Sequence, residues 1–154
     1  MPKTKAIAPK VISKEELQAK SGLALLYSFL VMFAASALVV YLANLLFPTS
    51  VVLGTHEISL WWAIYHSVLV LTLICTFVIP LVYYHEWKRG QMYTPKEWML
   101  AYFVVNTLAV YGLTRYAGNL GLGIAHWWIA PLLGAALDWA QGMVMMALNK
   151  VIGN

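Results

Sequence analysis

ISLWWAIYHSVLVLTLICTFVIPLVYY, residues 58–84, contains no aspartate, glutamate, lysine or arginine. A helix needs roughly 20 mainly apolar residues to cross a hydrocarbon layer about 30 Å thick, so this stretch is long enough by itself. On either side of it the pattern recurs: Leu23–Phe47 and Trp98–Thr114 are also free of formal charge, and Trp127–Leu148 holds Asp138 alone. Continuous runs of this kind are not the alternating segments of about 10 residues that build a β-barrel. Hydrophobic residues make up 62% of the 154 positions and charged ones 10%, more apolar surface than a water-soluble domain of this size could hide. The expected fold is all-α, a polytopic membrane protein with four transmembrane helices at about 23–47, 60–84, 98–116 and 127–148. These lie in a four-helix domain of residues 22–150, between a basic cytoplasmic arm, 1–21, and a short tail, 151–154.

Helix punctuation supports these spans. Ser13 with Glu16 fits a capping box, which starts a helix near Lys14 that runs into the first span. Thr94-Pro95-Lys96-Glu97 supplies a capping hydroxyl, a proline at the first helical position and a carboxylate at the third, and so opens helix three. Lys88 and Arg89 before Gly90 close helix two, with cations on the negative end of the dipole and a glycine free to turn left-handed. Helix two then runs from Leu60 to Arg89, roughly 45 Å at 1.5 Å per residue. Pro131 falls in the first turn of helix four, where it costs little, whereas Pro80 lies inside helix two and is expected to kink it.

Charge sets the orientation. Lys3, Lys5, Lys10, Lys14 and Lys20 in the arm, Lys88, Arg89 and Lys96 in the middle loop and Lys150 just before the tail stand on one side, against Arg115 on the other. The positive-inside rule therefore places both termini and the middle loop in the cytoplasm, in a multi-pass protein of a prokaryotic cytoplasmic (inner) membrane. Trp61, Trp62, Trp127 and Trp128 mark the outer interface, and Tyr83, Tyr84, Trp87 and Trp98 the inner one. The arm and loop cations are read as lipid head-group contacts, because the basic arm has no interleaved aromatics with which to bind nucleic acid. Ala34-Ala35-Ser36-Ala37 resembles a signal-peptide cleavage site, yet its apolar run far exceeds the usual 7–15 residues, so the first span is expected to stay uncleaved. Cys75, the single cysteine, reads as a small buried apolar residue.

Two halves of the chain echo each other. Leu53-Gly54 followed by Ile58-Ser59-Leu60-Trp61-Trp62-Ala63 matches Leu122-Gly123-Ile124-Ala125-His126-Trp127-Trp128, and Tyr41 precedes the first as Tyr111 precedes the second. This is either a tandem duplication of a helical hairpin, with parallel repeats about an axis along the membrane normal, or an interface marked twice by paired tryptophans.

Asp138 is 11 residues past Trp127, about 16 Å deep, and Asn106 is about 12 Å above the inner Trp98, so the two share a level near the bilayer centre. Thr72, Thr107 and Gln141 fall within about a turn of it. An intramembrane polar layer of this kind either carries a proton or an ion, or is a hydrogen-bonded clamp that holds four helices in register. Ala130, Gly134, Asp138 and Gly142 recur every four residues along helix four and are expected to let another helix approach, with Ala34–Ala37 as a counterpart. His56, His66 and His126 form no tight ligand motif, and Met143, Met145 and Met146 do not share one helix face, so no metal or cofactor is expected. No nucleophile elbow, P-loop, dinucleotide fingerprint or HExxH motif is present, and the chain is not expected to be an enzyme.

Cys75-Thr76-Phe77-Val78-Ile79-Pro80-Leu81, then Phe103-Val104-Val105-Asn106-Thr107-Leu108, then Trp128 with Leu132-Leu133-Gly134-Ala135 together resemble the fourth phage-holin superfamily. Its members are small four-span proteins with a proline-leucine end to span two. The likeness covers Leu60 to Asp138, and the chain is similar also to small four-span bacterial membrane proteins outside that family. The basic arm, the charged middle loop and Asp138 depart from the holin pattern. The resemblance implies membrane location and self-association into a homo-oligomer, or association with another membrane partner. The function expected is a structural or holin-like membrane protein; the alternative is a proton- or ion-conducting bundle organised around Asp138.

Overall fold

The computed structural model describes residues 14–152, with the order α1 (Lys14–Leu46), β1 (Val51–Leu53), α2 (Leu60–Arg89), α3 (Pro95–Thr114), α4 (Ala117–Leu120), β2 (Leu122–Ile124) and α5 (Ile129–Ile152). Lys3, Lys5, Lys10 and the Ser13 of the expected capping box lie outside the described residues. The four long helices form a ring in which α1 packs on α2 and α5, and α3 packs on the same two. Each contributes one seam. On α1 it is Ser28, Met32, Ser36 and Val40, and on α2 it is Ile64, Val68, Leu71, Cys75, Val78 and Val82. Asn106, Val110 and Leu113 face inward from α3, and Ala130, Leu133, Leu137 and Gln141 from α5.

The outside of the ring is apolar. Leu38, Phe77, Leu108 and Leu132, one on each long helix, are all about 60% exposed or more (59%, 67%, 64% and 61%), while serine, asparagine and glutamine sit within. This arrangement suits lipid as the surrounding solvent, since the hydrophobic effect in water would drive the opposite sorting. Among the described residues, three helical segments are long and apolar enough to cross a membrane: Leu25–Leu46, Leu60–Arg89 and Ile129–Ala147. Helix α3, with 20 residues, is not among them, because Lys96, Glu97 and Asn106 dilute its apolar content.

The turn between α2 and α3 follows the expected punctuation. Gly90 adopts φ 70° and its N–H bonds the Glu86 carbonyl. At the start of α3 the Thr94 N–H donates to Glu97 Oε2 at 2.7 Å, and the Glu97 N–H returns a bond to Thr94 Oγ1 at 3.3 Å. Arg89 Nη1 closes the turn on Glu97 Oε1 at 2.7 Å.

The opposite end of the bundle adds a short two-stranded ladder to the mostly helical fold. Val51–Leu53 pairs antiparallel with Leu122–Ile124, with Val51 opposite Ile124 and Leu53 opposite Leu122. The Gly54 N–H to Gly121 carbonyl bond (2.7 Å) and the Ala125 N–H to Ser50 carbonyl bond (2.9 Å) extend this ladder. The echoing Leu-Gly stretches thus lie side by side. Gly121 adopts φ +80°, and a Cβ there would stand 2.5 Å from that of Ala63, so no other residue fits. Asn44 Nδ2 and Ser67 Oγ tie the cap to α1 and α2 by donating to the carbonyls of Val51 and Leu120, each at 2.8 Å. Because the ladder joins both long connections, the C-terminal ends of α1 and α3 and the N-terminal ends of α2 and α5 meet at one end of the bundle. The helices therefore alternate in direction.

Candidate functional site

In the bundle interior one polar side chain from each long helix joins a single hydrogen-bonded chain. Cys75 Sγ on α2 donates to Asn106 Oδ1 on α3 at 3.1 Å. Asn106 Nδ2 donates to Gln141 Oε1 on α5 at 2.9 Å, and Gln141 Nε2 donates to Ser36 Oγ on α1 at 2.9 Å. Cys75, Asn106 and Ser36 are wholly buried and Gln141 is 2% exposed, which leaves this chain no contact with the surroundings. It contains two amides, a hydroxyl and a thiol, with neither carboxylate nor imidazole. Such groups hold geometry through neutral hydrogen bonds.

Of the expected polar layer, Asn106 and Gln141 are therefore brought together. Thr72 is fully buried on α2, one turn before Cys75, and its Oγ1 has no partner among the described residues. Thr107 Oγ1 is likewise buried and unpartnered, against α5. Asp138 stands apart. Its carboxylate is only partly buried and makes no hydrogen bond among the described residues, and Asn106, its expected partner, bonds Gln141 instead.

Helix geometry explains the separation. Four residues advance an α-helix by about 400°, so a stripe spaced by four drifts about 40° per step. Ala130, 1% exposed, faces the core. Gly134 touches α3: a Cβ there would lie 2.5 Å from Thr107 Oγ1 and 2.9 Å from the Thr107 backbone nitrogen. Asp138 has rotated to the outer edge of that contact. At Gly142 nothing stands within 4 Å of a Cβ position. Thus Ala130 and Gly134 serve packing within the protomer, and Gly142 does not.

Ser36 and Cys75 complete the buried chain and were not among the expected site residues. The only hint in the sequence was position: Ser36 is a hydroxyl among alanines, and Cys75 lies one turn past Thr72.

No family model, curated protein or solved structure matches the chain.

The remaining candidates lie near the two ends. His66 Nδ1 is 3.0 Å from the Trp62 carbonyl, and its ring meets that of Trp62 edge-on. His126 stacks on Trp128. No group of three metal-ligating side chains forms among the described residues. Met143 and Met146 are exposed and Met145 is partly buried. At the turn between α2 and α3, Lys88 and Lys96 are exposed. Arg89 is engaged with Glu97, whose carboxyl is held down at about 2 by the Thr94 backbone amide first and by Arg89 second.

Proposed function

We propose that this small membrane protein is structural and acts by lateral association in a prokaryotic cytoplasmic membrane, with four spans and both termini inside. The observation that carries the reading is the sealed polar chain from Ser36 through Gln141 and Asn106 to Cys75, to which every long helix contributes one residue. A fully buried, mutually bonded chain fixes helix register and offers no path for water or ions. It favours a structural role over conduction and over catalysis.

Helix α3 is read as the fourth span because 20 residues reach about 30 Å at 1.5 Å per residue, the thickness of the hydrocarbon layer. The positive-inside count supports the orientation. The holin-like character, with self-association as its corollary, rests on the motif resemblance around Pro80, Asn106 and Gly134.

Conduction remains the second reading, and Asp138 is the observation in its favour, since it stands outside the satisfied chain near mid-depth. Cross-linking in native membranes, with single cysteines introduced at Ser50 and Gln91 for labelling, tests the primary reading. It expects cross-linked species above the monomer, and labelling by an impermeant reagent of Ser50→Cys but not of Gln91→Cys. A chain that stays monomeric at every density, or the reverse labelling, overturns it.

A further inference from the structure

Asp138 is the only charged residue between Trp127 and Leu148. Its carboxylate has neither an ion pair nor a hydrogen bond among the described residues. It sits on the edge of α5 one turn past Gly134, where that helix touches Thr107 of α3, and one turn before Gly142, beside which space is open. Ala135, on the same outward side, is exposed. A charge at this depth is costly unless a partner meets it, and the described residues provide none.

The source of that partner can be narrowed by charge. Apart from Arg115, every lysine and arginine lies near or beyond the helix ends at the side of the bundle opposite the strand ladder, far along the helices from Asp138. Arg115 is at the outer end of α3, with its guanidinium 4.6 Å from the centroid of the Tyr111 ring. A second copy of this chain can therefore offer Asp138 another carboxylate or a neutral group at the same depth, but no cation.

We propose that the α3/α5 edge around Asp138 docks a transmembrane helix of another protein that carries a lysine or arginine near the middle of its span. The opposite charge selects the partner. Gly142 and Ala135, lacking bulk on either side of the carboxylate, let the partner's backbone come close enough for its cation to reach. This rests on the lateral-association reading and names the chemistry of the partner.

The test uses the full chain, donor-labelled in lipid vesicles, with acceptor-labelled leucine-rich transmembrane peptides bearing a central lysine, glutamine or leucine. Energy transfer should show the lysine peptide binding at least about tenfold more tightly than the leucine peptide. That preference should vanish in Asp138→Leu and weaken strongly in Asp138→Asn, with helical content unchanged by circular dichroism. Equal binding of lysine and leucine peptides, or a lysine preference that survives Asp138→Leu, overturns the proposal. Mixing donor- and acceptor-labelled copies separates it from the broader reading. Copies that pair through Asp138 without lysine preference overturn the proposal and leave lateral association standing, whereas absence of transfer with every probe overturns both.

Discussion

Gln141 and Asp138 are three residues apart on α5, so about 4.5 Å separates them along the helix axis, yet they occupy opposite environments. Gln141 is 2% exposed and bonded on both sides, to Asn106 and to Ser36. Asp138 is partly exposed and bonded to nothing in the described protein. Depth alone does not decide the role of an intramembrane polar group. Rotation about the helix does, because it determines whether the fold itself or something outside it must satisfy the group. The interior chain ties four helices together; the carboxylate on the edge is left for recognition.

The largest expected effect comes from closing the gap that sets the α3/α5 distance. Gly134→Ala puts a methyl against the backbone of Thr107, which cannot swing aside as a side chain can. It should cost about 2 kcal/mol in reversible unfolding from mixed micelles. Gly142→Ala, on the same stripe but in open space, should stay within about 0.5 kcal/mol of the wild type. Equal costs at the two glycines would break the contrast between the inner and outer parts of the stripe.

Asn106→Leu comes next. It removes the bond to Gln141 and the one from Cys75, and two intramembrane contacts plus a stranded amide should cost about 1–2 kcal/mol in the same assay. An unchanged stability would mean that the chain does not hold the helices.

The smallest effect belongs to the turn between α2 and α3. The Glu97 carboxyl is held down at about 2 from an ordinary value of 4.5. A depressed carboxyl contributes stability that is complete above its unfolded value and is lost as pH falls through its folded one. Between pH 4.5 and 2 the wild type should therefore lose a small increment that Glu97→Gln lacks, read as converging melting curves.

Much of this was legible from local chemistry. Thr94, Pro95 and Glu97 announce the start of α3, and Gly90 the end of α2, because capping needs only neighbouring residues. Because rise per residue is fixed, counting from Trp98 and Trp127 put Asn106 and Gln141 within about a turn of one level, and the two are bonded. Azimuth was not legible. Which of Asp138 and Gln141 faces the core depends on where the neighbouring helices stand, and that is a tertiary fact. The same limit hid Ser36, which among alanines reads as packing, and Cys75, which reads as a small apolar side chain until Asn106 is placed opposite it. The strand ladder escaped because three-residue strands are too short to show alternation. Its only trace was the repeated Leu-Gly, whose two leucines, Leu53 and Leu122, stand opposite each other in the ladder.

The central claim, that the buried chain is a tie and Asp138 lies outside any conducting path, is tested most directly by proton flux into liposomes. The wild type and Asp138→Asn should be compared there, with their thermal stability followed in parallel. The account predicts background flux for both and a stability for Asp138→Asn that is kept or raised, since the substitution removes a charge that is costly to hold in lipid. Flux in the wild type that vanishes in Asp138→Asn, at unchanged stability, would contradict it.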